Sequence, residues 1–157
     1  MKTKPTDTYK ILVASGVNLD LLGSRQPEIY GMETLKDLED SLNSLLPSLE
    51  TLFDTNIKLI TKQTNSECYF LELVSECWDG IVVNAGAWTH TSLALSDRLA
   101  ALDVPFVEVH ISNLANREEF RKKSYLAPYA IGIAYGFGLD SYHTGLFGLL
   151  RFLKKSK

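Results

Sequence analysis

The chain has 157 residues, of which 45% are hydrophobic and 22% are charged. This length and this composition predict one globular domain, residues 1–157, whose first nine residues are frayed. A formal net charge of -3 gives no electrostatic reason to expect a nucleic acid as partner. No apolar run approaches the length of a membrane span, and the polar first residues lack the apolar core of a signal peptide. We therefore expect a cytoplasmic protein with neither a nucleic-acid nor a membrane partner.

Short apolar runs alternate with segments of helical periodicity along the chain. The runs predict strands at residues 10–14, 57–61, 81–83, 106–110 and 130–134. The periodic segments predict helices over residues 34–46, 66–77, 116–121 and 140–154, with a further helix after Ser92. Strands that are nearly all apolar and alternate with helices predict an α/β fold. We expect a three-layer sandwich with a five-stranded parallel sheet and right-handed crossovers.

The first predicted helix has a clear start and an expected stop. Thr34 can cap it together with Asp37, three residues further on. Pro47 is expected to end the helix or to begin a second short piece, because proline lacks the backbone donor that a helix interior needs. Residues 47–55 are expected to be a surface elaboration, far from the strand ends that would form a site.

The helix after Ser92 is expected to be amphipathic. Its outward face should carry Asp97 and Arg98, and its inward face four leucines, Leu93, Leu95, Leu99 and Leu102. Cys68 and Cys77 fall in the preceding helix and are expected to be packed thiols, without a disulfide framework.

Polar side chains follow the third and fourth predicted strands. Asn84 and His90 come after the third strand, and Glu108 and His110 lie at the end of the fourth. Open α/β sheets bind their ligands in the crevice at the carboxyl ends of the strands. Residues 15–31, after the first strand, have no clear periodicity, and their glycines and single proline suit a loop that closes over such a crevice. The sequence therefore predicts one small-molecule site at this edge of the sheet.

Four stretches of the chain together resemble the type II 3-dehydroquinate dehydratases of the shikimate pathway and of quinate breakdown. They follow the family order and span nearly the whole chain: NLDLLG (18–23) with Arg25, Pro27, Tyr30 and Gly31; NAGAWTHTS (84–92); EVHISN (108–113); and REEFR (117–121) with SYL (124–126). The resemblance implies a flavodoxin-like fold and a homododecamer built as a tetramer of trimers. It also implies a cofactor-free hydro-lyase that reversibly converts 3-dehydroquinate to 3-dehydroshikimate through an enolate.

Such an elimination needs a base, an enolate stabiliser, an acid for the leaving hydroxyl and an anchor for the substrate carboxylate. The resemblance assigns the base to Tyr30. A free phenol ionises only near pH 10, so an ionised Tyr30 needs help, which the resemblance gives to Arg25 through its positive charge. The alternative is an aromatic side chain that packs the loop and an arginine in solvent.

The resemblance assigns the acid to His110. Two residues apart in a strand, His110 and Glu108 share one face, where the carboxylate favours the protonated, donating imidazole. The alternative is a core histidine paired with a buried glutamate. Asn18 resembles the family residue that holds a water against the enolate, with help from the backbone near Gly86. The alternative for Asn18 is an ordinary turn residue.

The remaining site residues also come from the resemblance. Arginine can grip a carboxylate with two hydrogen bonds, while amide and imidazole groups can bond its oxygens or a hydroxyl. The positions that match substrate-binding residues are Asn84, His90, Ile111, Ser112 and Arg121. Asp97 and Arg117 match positions that act across a subunit contact near the site. The alternative for each of these charged residues is a solvated surface group.

The chain also departs from the family pattern. Family members usually begin the first loop Asn-Gly-Pro-Asn, whereas this chain has Ser15-Gly16-Val17-Asn18. Val17 gives up the fixed backbone angle of proline, so the geometry around the enolate water is expected to be looser. Gln26, Ala115 and Ala127 stand where the family usually has glutamate, histidine and serine.

We expect no metal and no nucleotide. His90, His110 and His143 lie on separate segments without clustered cysteine or acidic ligands, and the first loop has no phosphate-binding glycine pattern. Two alternatives to an enzyme stay open. One is a non-catalytic flavodoxin-like protein that binds a small carboxylate or serves as a scaffold. The other is a flavin- or nucleotide-binding electron carrier. The fold cannot separate them, but the retained set of Tyr30, Arg25, Glu108 and His110 favours the dehydratase.

Overall fold

The computed structural model describes residues 8–24 and 31–156. Its strands form one sheet: β1 (Thr8–Ser15), β2 (Asn56–Gln63), β3 (Gly80–Asn84), β4 (Phe106–His110) and β5 (Gly132–Tyr135). All neighbouring strands pair in parallel, in the order β2-β1-β3-β4-β5. This order is that of flavodoxin-like sheets, so the predicted α/β fold with a five-stranded parallel sheet is confirmed.

The helices cover both faces of the sheet and are α1 (Leu35–Phe53), α2 (Glu67–Val74), α3 (Leu93–Leu102) and α4 (Asp140–Lys155). One buried apolar cluster lies between the sheet and the pair α1 and α4, and a second lies between the sheet and the pair α2 and α3. Ile11 and Val13 belong to the first cluster, and Leu12 and Ala14 to the second. Successive strand residues point to opposite faces, so β1 is buried on both, as its unbroken apolar run predicts.

Helix α1 corrects the prediction for Pro47. The Thr34–Asp37 capping box is present, but the helix continues through Pro47 to Phe53. Leu49 and Phe53 follow Leu42 at helical spacing and are buried in the core, which stabilises the extra turns. Pro47 itself lies on the exposed side, where a carbonyl that loses its helical donor can bond to water. Residues 47–53 therefore belong to the core helix and are not a surface elaboration.

Helix α3 confirms most of its predicted faces. Leu95 and Leu99 are buried and Leu102 is partly buried, while Asp97 and Arg98 are exposed. The prediction for Leu93 was wrong, because its side chain is 58% exposed. Leu93 lies two residues before Leu95, which is about 200° around a helix, so the two side chains cannot share a face.

Three local predictions also need correction. Residues 116–121 do not form one helix, because two short 3₁₀ turns, Leu114–Asn116 and Glu119–Arg121, are separated there by residues 117–118. Helix α2 ends at Val74, where the Trp78 indole donates to the Leu73 carbonyl at 2.8 Å and satisfies a group of the last turn. Cys68 and Cys77 are both exposed rather than packed.

No helix within the described ranges is long and apolar enough to cross a membrane.

Helix α4 approaches the sheet closely at Gly145. A Cβ atom there would lie 2.6 Å from Cγ1 of Val109 and 3.3 Å from Cγ1 of Val107, whereas one at Gly148 meets nothing within 4 Å. We expect Gly145→Ala to destabilise the protein by about 1–3 kcal/mol through overpacking. Gly148→Ala should stabilise it by about 0.5–1 kcal/mol, because alanine is the better helix former. Thermal unfolding of both variants checks this, and equal shifts in Tm would contradict it.

Candidate active site

A cavity of about 140 Å³ opens at the carboxyl ends of β1, β3 and β4. This is the switch point between β1 and β3, where the chain order of neighbouring strands reverses and flavodoxin-like sheets bind ligands. The structure brings these sequence-selected residues together in its lining: Asn18, Asn84, His90, His110, Ile111, Ser112, Arg117 and Arg121. Leucine side chains from residues 19–22 and Leu114 complete the wall.

Two glycines allow the loops after β1 and β3 to pack backbone against backbone. The Gly16 amide donates to the Asn84 carbonyl at 2.7 Å, and a Cβ on Gly16 would lie 2.6 Å from the Ala85 carbonyl oxygen. Gly86 has φ 60°, and a Cβ on it would lie 2.7 Å from the Val17 carbonyl oxygen. Side chains at either position would force the two loops apart, so the glycines set the floor of the cavity.

Asn18 lies on the cavity wall in the left-handed conformation, with φ 63°. Its backbone amide donates to Oδ1 of Asn65 at 2.7 Å, and Nδ2 of Asn65 donates to Asp20 at 3.1 Å. Asparagine tolerates this backbone conformation better than most residues. The local network fixes the backbone of Asn18 and leaves its side-chain amide without a hydrogen bond to the described residues. A free amide at this place can hold a water or a ligand oxygen.

His110 and Glu108 form a buried pair at the end of β4. Nε2 of His110 lies 2.7 Å from Oε1 of Glu108, whose side chain is 0% exposed. An ionised carboxylate can only accept, so Nε2 must carry the hydrogen of this bond. The proton that His110 can give away is therefore the one on Nδ1.

Two hydroxyl groups support Glu108, and sequence reasoning did not select either of them. Oγ1 of Thr89 donates to Oε1 of Glu108. Oγ of Ser124 lies 2.9 and 2.8 Å from the two carboxylate oxygens, and it also accepts the backbone amides of Leu126 and Ala127. The signal that could have found them is the buried glutamate itself, because a buried charge needs several hydrogen-bond partners.

These contacts keep the Glu108 carboxyl ionised. Burial by itself raises the pKa of a carboxyl group, but the hydrogen bond and charge of His110, with the bonds from Thr89 and Ser124, outweigh it. The pKa of Glu108 consequently lies below its ordinary value of 4.5. A fixed negative charge beneath His110 accepts the Nε2 hydrogen and orients the ring.

His90 faces His110 across the cavity. The two rings are stacked with their centroids 6.3 Å apart, and Nδ1 of His90 lies 2.7 Å from the Lys123 carbonyl oxygen. A carbonyl only accepts, so Nδ1 carries the hydrogen and Nε2 of the neutral ring is an acceptor. Burial and the charges of His110 and Arg121 lower the pKa of His90 below 6.5, against the bond to Lys123. At neutral pH His90 therefore offers an acceptor to a ligand hydroxyl.

This assignment of His90 can be tested by titration. We expect NMR of the imidazole resonances to show a midpoint for His90 below 6.5 and, above that midpoint, the neutral form with its hydrogen on Nδ1. The spectrum of His90→Gln identifies the signal. A midpoint at or above 6.5, or a neutral form with its hydrogen on Nε2, would contradict the assignment.

Two arginines make one wall of the cavity cationic. Nη1 of Arg117 donates to Oγ of Ser112 at 3.2 Å, and its Nε lies 3.1 Å from Glu118. Nε of Arg121 is buried, lies 3.4 Å from the same Glu118 carboxylate and makes no hydrogen bond to the described residues. One carboxylate is thus shared between two guanidinium groups beside the cavity. The Arg121 guanidinium, whose Nε makes no hydrogen bond to the described residues, suits an anionic ligand such as a carboxylate.

Not every sequence-selected residue lies at the cavity. Asp97 is exposed on α3 and is absent from the cavity lining of this single chain. The Gly86 amide, expected to help at the enolate, donates to Oδ1 of Asn84 at 3.2 Å. Arg25 and Tyr30 lie outside the described residues. Within the described ranges, no group of three or more histidine, cysteine or acidic side chains is placed to hold a metal ion.

Comparison with known proteins identifies the family. The model of the family described as dehydroquinase class II matches residues 9–150. The chain is 46% identical over 150 residues to the 3-dehydroquinate dehydratase of Prochlorococcus marinus, covering 94% of this chain and 99% of that one. It is 47% identical over 149 residues to the enzyme of the same name from Geotalea daltonii, covering 93% and 99%.

A solved structure agrees with the sequence comparison. The type II dehydroquinase from Butyrivibrio crossotus superposes with a TM-score of 0.84 at 37% identity, covering 90% of this chain and 97% of that chain. The family model matches residues 9–150, and the two relatives are 46% and 47% identical to this chain, so both comparisons assign the same family. The chain belongs to the type II dehydroquinase family.

Proposed function

We propose that this chain is a 3-dehydroquinate dehydratase, a hydro-lyase that reversibly eliminates water from 3-dehydroquinate to give 3-dehydroshikimate. The observation that carries the proposal is the His110–Glu108 pair, buried at the edge of a cavity with a cationic wall. Family membership and the names of the relatives support the same reaction. We also propose that the enzyme works in the cytoplasm, in the shikimate pathway or in quinate breakdown.

The proposed reaction starts with proton removal next to the substrate ketone. Tyr30, ionised with the help of the Arg25 charge, takes the proton as the general base. The electrons move onto the ketone oxygen as an enolate, and a water held by the free side-chain amide of Asn18 stabilises that oxygen. These roles for Tyr30, Arg25 and Asn18 rest on the resemblance of the loop that carries them.

The second half of the reaction expels the hydroxyl group. The enolate collapses, the carbon–oxygen bond breaks, and the Nδ1 proton of His110 passes to the leaving oxygen to form water. Glu108 stabilises the imidazolium before transfer and holds the ring in place. The same carboxylate therefore acts as a positioning and charge-stabilising group without changing its own protonation state.

The cavity wall supplies groups that can bind the rest of the substrate. We propose that Arg121 and the backbone at Ile111 and Ser112 bind the carboxylate, and that Asn84 and His90 bond hydroxyl or carboxylate oxygens. The acceptor at Nε2 of His90 suits a hydroxyl. No step of this mechanism requires a metal or an organic cofactor.

The product gives a direct test of the reaction. Incubation of purified protein with 3-dehydroquinate should produce the single vinyl proton signal of the enone-carboxylate product in the NMR spectrum. Substrate binding without a vinyl signal would instead favour a non-catalytic protein that binds a small carboxylate. The changes at Ser15, Val17 and Ala115 would then be the first places to seek the reason.

We propose that twelve copies assemble as a tetramer of trimers, with Asp97 and Arg117 near a contact between subunits. An apolar face of β5 supports association: Ala134 is buried against the α4 side, whereas Ile133 and Tyr135, on the opposite face, are 45% and 38% exposed.

Light scattering after size exclusion tests the assembly. The expected mass is close to twelve times the 17.6 kDa of one chain. Ile133→Asp should lower the mass of the assembly, because a charge placed in a buried apolar contact has no partner to compensate it. A wild-type mass equal to a single chain would contradict the assembly. An unchanged mass for Ile133→Asp would show that this face of β5 is not part of a subunit contact.

A further inference from the structure

Tyr142 is a buried polar residue that the proposed mechanism does not use. It lies in the first turns of α4, its side chain is 0% exposed, and it reaches the ends of two strands. Its hydroxyl lies 3.1 Å from Oγ of Ser15 at the end of β1 and 2.9 Å from Nδ2 of Asn84 at the end of β3. The hydroxyl thus joins the two strands between which the cavity opens.

The directions of these hydrogen bonds are fixed by the groups at their ends. The Gly86 amide can only donate, so the Asn84 atom that it contacts at 3.2 Å must be Oδ1. The other amide atom is then Nδ2, which only donates, so the Tyr142 oxygen accepts from it. The Tyr142 hydroxyl hydrogen is left for Oγ of Ser15. A single orientation of the Asn84 amide satisfies all three bonds.

This orientation decides what Asn84 offers to a ligand. Its carbonyl oxygen accepts a hydrogen bond from the Gly86 amide, and one of its two amide hydrogens is donated to the Tyr142 hydroxyl. The second Nδ2 hydrogen has no partner among the described residues, and Asn84 is part of the cavity lining. Asn84 can therefore donate this hydrogen to an oxygen of a ligand.

We propose that Tyr142 is a positioning residue for substrate binding, whose hydroxyl locks the Asn84 amide so that it presents a donor to an oxygen of the substrate. The proposal rests on the dehydratase function proposed above, because it assigns a role in binding that substrate. Tyr142 touches no reacting atom and acts only through Asn84.

The chemistry of the phenol suits a fixed role. Burial raises the pKa of Tyr142 to about 12, although the bonds with Ser15 and Asn84 oppose the shift. The hydroxyl therefore stays neutral and keeps its hydrogen at and around neutral pH. The hydrogen bond from Asn84 to Tyr142 therefore does not change with pH in this range. A phenol that keeps its hydrogen does not act as a base, so Tyr142 does not take the role proposed for Tyr30.

Ser15 links this network to a departure from the family pattern. It stands where relatives usually have asparagine, and its Oγ receives the Tyr142 hydrogen. Ser15→Ala removes only the far end of the network, so it should weaken substrate binding in the same direction as Tyr142→Phe but by a smaller factor. Because Ser15 is a small side chain, this variant also tests the network without disturbing an aromatic ring in the core.

The main test compares Tyr142→Phe with Tyr9→Phe. Tyr9 is buried in the same apolar cluster, but its hydroxyl lies 3.4 Å from the Leu153 carbonyl at the other end of β1. We expect Tyr142→Phe to raise KM for 3-dehydroquinate about three- to tenfold, the effect of one buried hydrogen bond, with kcat within about twofold. The KM of Tyr9→Phe should match that of the wild type, even if both variants lose thermal stability.

The possible outcomes are distinguishable. An active wild type whose KM is shifted in Tyr142→Phe and, less strongly, in Ser15→Ala supports the positioning role. If Tyr142→Phe does not fold, the shift in Ser15→Ala alone decides. An active wild type with equal KM in Tyr142→Phe and Tyr9→Phe, or a loss confined to kcat, would overturn the role while leaving the dehydratase intact. A wild type without turnover would overturn the proposed function first, and this inference with it.

Discussion

Replacement of His110 by glutamine is expected to lower kcat for 3-dehydroquinate by about 10²- to 10⁴-fold, the usual contribution of a general acid. The glutamine amide can still donate to Glu108 in the buried pair, but it holds no proton that it can give to the leaving hydroxyl. KM should change much less, because the cavity wall that anchors the substrate carboxylate is untouched.

The matched control is His143→Gln. His143 lies on α4, where it bonds Ser41 of α1 at 2.9 Å and Asp140 at 2.9 Å, and it is not part of the cavity lining. Steady-state kinetics of both variants, with their thermal unfolding curves, separate chemistry from folding. A His110→Gln enzyme within tenfold of the wild-type kcat would remove His110 from the role of acid.

Replacement of Glu108 by glutamine is expected to reduce both stability and activity. The carboxylate is fully buried and is contacted by His110, Thr89 and Ser124, so the loss of its charge weakens several bonds at once. Hydrogen bonds to charged groups contribute about 1.5–3 kcal/mol each, and we expect a loss of that order at pH 7. The activity should fall as well, because an uncharged partner no longer stabilises the imidazolium of His110.

The pH dependence of this effect has a definite sign. The pKa of Glu108 lies below 4.5 in the folded protein, so its ionised form stabilises the fold fully above pH 4.5. That contribution is lost as the pH falls through the lower, folded-state pKa. The difference in stability between the wild type and Glu108→Gln should therefore become smaller as the pH falls.

Urea unfolding over a series of pH values measures the gap. Glu76→Gln serves as the control, because Glu76 is an exposed carboxyl on the segment after α2. It should leave the stability at pH 7 nearly unchanged. If the two variants lost the same free energy of unfolding at pH 7, or if the gap of Glu108→Gln widened in acid, the charge-stabilising role of the buried carboxylate would be wrong.

The fold follows from patterns that are local in the sequence. Ile11 to Ala14 and Ile81 to Val83 are unbroken apolar runs, and a strand covered on both faces buries every residue of such a run. The start of α1 was predicted, because its cap at Thr34 is a local sequence signal. The end of α1 was missed, because the burial of Leu49 and Phe53 outweighs the local signal of Pro47 and continues the helix to Phe53.

The site was predictable only in part. His110 and Glu108 are two residues apart, so strand geometry alone brings them together. Tyr142 is 58 residues from Asn84 and 127 from Ser15, and no local pattern announces a contact at that separation. Thr89 and Ser124 were missed as well, because a buried glutamate indicates that partners are needed but not which hydroxyl groups supply them. The roles of Tyr30 and Arg25 stay predictions, because both lie outside the described residues.

The measurement that tests the central claim most directly is the ultraviolet absorbance of the enone-carboxylate product after addition of 3-dehydroquinate to the purified protein. Wild-type protein should form product rapidly, and Tyr30→Phe should be slower by about 10²-fold or more, because its ring has no proton-accepting oxygen. Absence of product from folded, assembled wild-type protein would contradict the dehydratase. Near-normal turnover by Tyr30→Phe would leave the reaction in place and remove Tyr30 as its base.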